Sequence, residues 1–318
     1  MPIPDFDGAG ALVTGGAGFI GSHLVDALVA RGGRVRVLDD LSSGSLANLA
    51  HHREAVELRR GDIRDAEACR RACAGVTWVF HLAALGSVPR SLEDPAASIA
   101  VNVAGTANVF AAAREAGARR TVYASSSSVY GDSEGLPKRE GEEGAPLSPY
   151  ATSKAMTEQL AATFAKSYGQ ELVGLRFFNV FGPRQSPEGP YAAVVPRFLA
   201  AARSGAPMEV HGDGEQSRDF TYVSDAVEAA LLAAGAPLSA CGAAYNVAGG
   251  ERVTMNELAQ RLAALAGTSA PPVHVAPRPG DVRHSLADLT AVRDQLGYTP
   301  RVTVTEGLDR LWRDAAAP

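Results

Sequence analysis

The apolar positions of this chain change period in a regular alternation. Residues 10–14 (GALVT) are a short, β-prone apolar run. Glycines follow, and then an amphipathic stretch over about Ser22–Arg31 has the repeat of a helix. RVRVLDD alternates apolar and polar residues as a strand does, and the polar loop LSSGSLANL separates it from a weaker strand near Val56–Leu58. The pattern then predicts a helix over about Ala66–Ala74, a buried strand in TWVFHLAA, a long helix over 98–117 and a strand in RRTVYASSSS. A helix over Tyr150–Tyr168 and a strand in ELVGLRFFNV complete the series. Strands alternating with helices predict an α/β fold, with a parallel sheet covered by helices on both faces.

After about residue 179 the rhythm loosens. FGPRQSPEGP is rich in turn residues, and VHGDGEQSRDF is polar and irregular. An apolar helix over Val223–Ala234, a strand in AAYNVAGG and a helix over about Met255–Ala266 follow, and the proline-rich stretch 269–280 reads as a surface wrap. This organisation predicts a first domain over 1–178, to which the chain returns at about 220–248. A second, smaller mixed α/β region is expected from 179–219 and 249–318. The sequence shows no internal repeat.

Composition narrows the function. With 318 residues, 46% hydrophobic and 20% charged, the chain can bury a full core. A net charge of −5 with no basic tract argues against nucleic acid or an anionic membrane as the main partner. No membrane span and no secretory leader are expected, which predicts a cytoplasmic protein. Cys69, Cys73 and Cys241 make no disulfide framework, and Cys-x3-Cys is not a zinc pattern. They read as small core residues, and no metal site is expected.

Four stretches carry candidate chemistry. The first is TGGAGFIG, Thr14 to Gly21, between a strand and a helix. Gly15, Gly18 and Gly21 permit a tight turn and close approach of a pyrophosphate to a helix N-terminus. Glycine-rich turns are common, and the context strengthens this one. Asp39 lies eighteen residues past Gly21, at the end of the next strand. An acid there bonds a ribose 2′-hydroxyl and repels a 2′-phosphate. Asp40, Leu41 and Ser42 follow with no Arg or Lys, which favours NAD over NADP. The second is GDIRD, in which Asp62 and Ile63 are placed for an adenine, although Asp62 alone reads as a turn or N-cap residue. The third is His81 to Ala84 at a strand end, where small residues admit a ligand and His81 reads as a satisfied structural histidine. The fourth joins Ser125–Ser128 at another strand end to Ser-Pro-Tyr150-x3-Lys154, whose Tyr and Lys stack on one helix face. On its own that pair reads as a surface contact.

Together, GGAGFIG, GDIRD, HLAA, SSSSVYGD, SPYATSK, LRFFNVFGPRQ, GDGEQSRDF and RPGD span nearly the whole chain. They resemble the extended short-chain dehydrogenases/reductases that act on nucleotide sugars, and among these the UDP-hexose 4-epimerases. AALGSVPRS, PYAAVVPRF and GDVRHSLADL resemble those that interconvert UDP-N-acetylglucosamine and UDP-N-acetylgalactosamine. The resemblance implies a Rossmann-like sheet, tightly held NAD, a UDP-sugar substrate and a homodimer formed through helices 98–117 and 150–168.

For the reaction, the resemblance implies Tyr150 as acid/base, with its phenol lowered by Lys154 and the nicotinamide. Ser126 would bridge to the sugar 4-hydroxyl, and a 4-keto sugar would form transiently. It places Gly15, Gly18, Phe19, Ile20, Gly21, Asp39, Asp40, Ser42, Ser43, Gly44, Asp62, Ile63, Leu82, Ala83, Ala84, Asn102, Tyr150, Lys154 and Phe178 against the cofactor. It places Ser87, Ser126, Ser127, Ser128, Asn179, Val194, Val210, His211, Arg218, Arg278, Asp281 and Ser285 against the substrate. The arginines would grip the diphosphate, and Val194, Val210 and His211 the uridine. Ser285 stands where a tyrosine restricts some relatives to plain hexoses, so it would leave room for a 2-acetamido group. The 4,6-dehydratases carry Asp-Glu in the window held here by Ser127-Ser128, and the decarboxylases a glutamate at Ser128; this chain has neither. Phe177 departs from the tyrosine of some relatives. The alternatives are UDP-glucose/galactose or UDP-glucuronate epimerisation, another nucleotide-sugar oxidoreductase or dehydratase, or a non-catalytic nucleotide-binding regulator.

Overall fold

In a computed structural model of the chain, the described residues are 2–189, 192–268, 271–277 and 282–314. The first half runs β1 (Gly10–Thr14), α1 (Phe19–Val29), β2 (Arg34–Asp39), β3 (Val56–Arg60), α2 (Ala66–Cys73), β4 (Trp78–His81), α3 (Val88–Glu93), α4 (Pro95–Ile99), α5 (Thr106–Glu115), β5 (Arg120–Ser126), α6 (Pro149–Tyr168) and β6 (Leu172–Phe177). The second half runs β7 (Val180–Phe181), α7 (Val194–Ser204), β8 (Glu209–His211), β9 (Ser217–Asp219), β10 (Thr221–Tyr222), α8 (Val223–Ala234), β11 (Ala243–Val247), β12 (Arg252–Thr254), α9 (Met255–Leu265), β13 (Val273–Val275), α10 (Thr290–Leu296) and α11 (Val304–Asp314).

Seven parallel strands form the main sheet in the order β11-β6-β5-β4-β1-β2-β3. The order reverses between β1 and β4, so a crevice opens above their carboxyl ends. Side chains alternate along each strand and build two cores. Val13, Val37, Phe80, Val122 and Val173 face one way, against α1 and α8. Leu12, Leu38 and Val79 face the other way, against α2 and α5, with Cys69 and Cys73 buried among them. Those thiols are free, and burial pushes both up to about 12, so they stay protonated.

The smaller region has its own core, where Phe198 of α7, Leu258 and Leu262 of α9 and Leu308 of α11 pack together. Three short strand pairs, β7–β10, β9–β12 and β8–β13, brace it. Val292, Leu296 and Tyr298 pack into the first core, because α10 lies on β11 and α8.

The helix expected over 98–117 is joined to α4 through a π-helical stretch, Ala100–Gly105. The combined run Pro95–Glu115 is long and apolar enough to cross a bilayer by length and composition. Here Val109, Phe110, Ala112 and Ala113 are instead buried in the domain.

Candidate active site

The loop after β1 is shaped by its glycines. Gly15 has φ +70°, and a Cβ there would lie 2.8 Å from the backbone nitrogen of Ala83. A Cβ on Gly21 would lie 2.1 Å from the Gly15 carbonyl oxygen. Helix α1 has no side-chain N-cap, so its first N–H groups are left for a ligand. Above this loop is a cavity of about 350 Å3. Its wall holds Gly15, Gly18, Phe19, Ile20, Gly21, Asp39, Asp40, Ser42, Ser43, Asp62, Ile63, Leu82, Ala83 and Ala84. Asp39 is 7% exposed and accepts backbone N–H bonds from Ala17 (2.9 Å) and Leu41 (2.8 Å). Burial raises its carboxyl above the ordinary value, and those bonds oppose the shift. A glycine cradle that a Cβ would fill, an uncapped helix start and a fixed acid beyond β2 fit a dinucleotide with a free ribose hydroxyl.

His81 closes the floor. Its two ring nitrogens meet the hydroxyls of Thr14 (2.7 Å) and Thr106 (2.9 Å). Burial pulls it down to about 3, so it is a neutral structural residue.

The end of β5 is fastened to one face of α6. The Ala124 carbonyl accepts from Lys154 Nζ at 2.8 Å, Ser125 donates to Glu158, and Ser126 lines the same cavity as Tyr150. The Ser148 side chain caps α6, and Pro149 occupies the first turn, where its missing N–H costs nothing. Ala124 lines the first cavity; Ser126 and Tyr150 line a second, of about 400 Å3. Lys154 lies beneath both, 5% exposed, with Nζ 6.0 Å from the Tyr150 ring centre. Burial pulls its ammonium down to about 8, and Glu158 one turn on pushes the other way. Burial raises the Tyr150 phenol above its ordinary value and Ser126 opposes this, whereas the expected lowering includes the charge of the nicotinamide.

The second cavity gathers Ser126, Ser127, Ser128, Phe177, Asn179, Arg218 and Ser285. Asn179, at φ +35°, and Arg218 also line a third cavity, of about 150 Å3, with Val194, Val210 and His211. The second and third cavities thus share Asn179 and Arg218, and the third has a mixed wall that includes Arg197, Glu209 and Gln216. Arg278 and Asp281 lie outside the described residues.

Four expected contacts are placed differently. Phe178 is fully buried, with its ring against Tyr130, because it faces the core that its neighbour Phe177 leaves. Asn102 gives its side chain to Leu85 and Ser153, so it braces the cavity wall from behind. Gly44 packs on the Ala17 backbone, which lets Ser45 N–H reach the Ala17 carbonyl. Ser87 caps α3 by accepting from Arg90 N–H. The sequence reading missed Tyr130 and Lys138 of the second cavity and Gln216 of the third. Tyr130 was signalled by its place in SSSSVYGD; Lys138 reaches the cavity through its pairing with Ala287, which no local pattern reveals.

Away from these cavities, Asp26, His51 and His52 bring metal-ligating atoms within 4.8 Å of one another. Asp26 is already held by Arg184 and by both histidines.

Comparison with known proteins agrees with this geometry. The profile of the NAD dependent epimerase/dehydratase family matches residues 11–248. The chain is 40% identical over 301 residues to a UDP-glucose 4-epimerase of Mycolicibacterium smegmatis, covering 93% of this chain and 95% of that one. A UDP-N-acetylglucosamine 4-epimerase from Methanobrevibacter ruminantium, solved with UDP-N-acetylmuramic acid, superposes with a TM-score of 0.92 at 38% identity, over 96% of this chain and 98% of that one. A UDP-glucose 4-epimerase from Thermotoga maritima, solved with UDP-glucose, gives 0.91 at 37% identity, over 96% and 97%. The glycine cradle, the acid that ends β2, Ser126 at the end of β5 and the Tyr-Lys face of α6 thus sit in an NAD-dependent enzyme, and the chain belongs to the NAD dependent epimerase/dehydratase family.

Proposed function

We propose that this enzyme inverts C4 of UDP-N-acetylhexosamines, interconverting UDP-N-acetylglucosamine and UDP-N-acetylgalactosamine through a transient 4-keto sugar. The observation that carries the reading is that Ser126 and Tyr150 line one cavity, with buried Lys154 one turn on beside the Tyr150 ring. Bound NAD supplies reversible oxidation at C4, with no net redox change over the cycle. Gly15, Gly18 and Gly21 hold its pyrophosphate, and Asp39 its ribose. Tyr150 takes the proton of the sugar 4-hydroxyl and later returns it. Ser126 holds that hydroxyl in line, and the Lys154 charge favours the phenolate. Arg218 and Asn179 hold the diphosphate, and the recess of Val194, Val210 and His211 takes the uridine. Arginine suits that place because its planar fork gives phosphate two bonds at once.

The described wall of the second cavity presents serines, Lys138 and Arg218 but no carboxylate side chain. That supports retained C4 chemistry over elimination or decarboxylation, which need a proton-handling acid near C5 and C6. The partly buried Ser285, at 8% exposure, supports the acetamido substrate. Plain UDP-glucose is the second reading, supported by the relatives from M. smegmatis and T. maritima. A substrate panel decides between them: kcat/KM on UDP-N-acetylglucosamine at least equal to that on UDP-glucose supports the first, and turnover of UDP-glucose alone sinks it. The same reading carries a homodimer through α6 and the 98–117 helix, where Met156 is 42% exposed. A monomer in light scattering would overturn that part.

A further inference from the structure

Glu158 is a buried acid that the mechanism above does not use. It lies one turn beyond Lys154, so Tyr150, Lys154 and Glu158 occupy one face of α6 at i, i+4 and i+8. Its side chain is 15% exposed. Arg176 of β6 grips both carboxylate oxygens, Nε to Oε1 at 2.9 Å and Nη2 to Oε2 at 2.7 Å. Ser125 donates to Oε1 as well.

Arg176 has a second carboxylate partner in Glu143. Arg176 is thus paired with Glu158 and Glu143, and Glu140 also lies within its reach. Lys154 itself makes one hydrogen bond, to the neutral Ala124 carbonyl. The other titratable groups around it are Tyr150 on its own helix, His81 from β4, which is neutral, and Tyr123 and Tyr130 beyond Arg176. None of these is an anion at neutral pH, so Glu158 is the anion nearest to Lys154 along α6. The strand–helix fastening points the same way: Ala124 engages Lys154 and Ser125 engages Glu158, so the two side chains are held next to each other against the β5 edge.

We propose that Glu158 is a positioning residue for the C4 reaction, supplying the counter-charge that keeps the Lys154 ammonium beside Tyr150. The inference rests on the epimerase reading above. Glu158 touches neither sugar nor cofactor. Its effect passes through Lys154, whose charge favours the Tyr150 phenolate. Without Glu158, Lys154 gives up its proton at lower pH, and the charge that favours the phenolate is lost there.

The test is the pH profile of kcat/KM for Glu158→Gln, from about pH 6 to about pH 9.5, because its alkaline limb reports the group that must stay protonated in the free enzyme. The substrate is UDP-N-acetylglucosamine, or UDP-glucose if the wild type turns over that sugar instead. The alkaline limb is expected to move down by about one pH unit, the smaller end of what an opposite charge at this range does. Activity would fall about tenfold at high pH and approach the wild-type value at low pH. Glu143→Gln removes the other partner of Arg176 while leaving Lys154 alone, and its limb should stay in place. Glu158→Asp keeps the charge but draws it back, so its limb should fall between wild type and Glu158→Gln. If Glu158→Gln does not fold, Glu158→Asp decides: a downward shift supports the role and an unmoved limb overturns it. A loss that is uniform across pH, or an equal shift in Glu143→Gln, would also overturn it. A wild type that inverts neither sugar would defeat the epimerase reading itself, which is a separate outcome.

Discussion

Ser285→Tyr tests the shape of the sugar site. The backbone around residue 285 is pinned on several sides. Ser285 N–H donates to the Ser217 carbonyl (3.0 Å), Lys138 N–H to the Leu286 carbonyl (2.7 Å), and Ala287 N–H to the Asp219 carboxylate (3.1 Å). Asp219 is fully buried and also accepts from Gly250 N–H (3.0 Å), so this segment has little freedom to retreat. A phenol at 285 must therefore extend into the cavity of about 400 Å3 that Ser126 and Tyr150 line. A pocket rejects by clash far more sharply than by a missing methylene. The selectivity ratio of kcat/KM, UDP-N-acetylglucosamine over UDP-glucose, should fall about 100-fold, or about 2.7 kcal/mol of differential transition-state binding. The assay gives both sugars to one sample and follows the two epimer pairs by NMR. Equal losses on both sugars would mean general damage to the site. An unchanged ratio would mean that the acetamido group lies elsewhere, and the gating argument would be refuted.

Other outcomes follow from the same geometry. Gly21→Ala forces a methyl onto the Gly15 carbonyl, 2.1 Å from the ideal Cβ, so purified protein should carry far less NAD; stoichiometric NAD released on heating would contradict the cradle. Tyr150→Phe should keep its NAD and melting temperature yet lose at least about 100-fold in kcat, as loss of a positioned acid/base implies, and near-normal turnover would remove Tyr150 from the chemistry. Lys154→Met should raise the stability of cofactor-stripped protein while abolishing useful turnover. The folded state holds Lys154 at about 8 against 10.5, a penalty of about 3 kcal/mol at neutral pH, from which about 1 kcal/mol is subtracted for the lost Ala124 bond. Because the unfolded chain binds the extra proton between those values, wild-type stability rises with pH across that window. The advantage of the variant should therefore be largest below about pH 8 and shrink above it. Thermal melts at a series of pH values check this, and a constant or growing difference would contradict the sign.

The fold was legible where local pattern and tertiary role coincide. The strands of the main sheet are buried on both faces, so GALVT and TWVFHLAA stand out as apolar runs between turn residues. The glycine loop was legible because its constraint is local: Gly21 must lack a side chain to let α1 close on Gly15. The smaller region was legible only in its periodic helix α9. Strands of two or three residues, such as β7 and β10, have no period to read, and they exist because Thr221 and Tyr222 pair with Val180 and Phe181 from forty residues earlier. The same reason hid Lys138, whose backbone pairs with Ala287 from the far end of the chain. Phe178 shows the opposite error. A motif names neighbours, yet successive residues point to opposite sides, and here Phe177 faces the cavity while Phe178 joins the core. Tyr150 and Lys154 could be paired from spacing alone, but their charge states depend on burial and on Glu158, which spacing does not supply.

The central claim is C4 inversion by an enzyme that keeps its own NAD. The direct measurement is an NMR time course of purified protein with UDP-N-acetylglucosamine and no added NAD. The account predicts that UDP-N-acetylgalactosamine grows in to a fixed equilibrium ratio, without accumulation of reduced cofactor. No epimer even after NAD is added, or a product altered at C5 or C6 in place of C4, would contradict it.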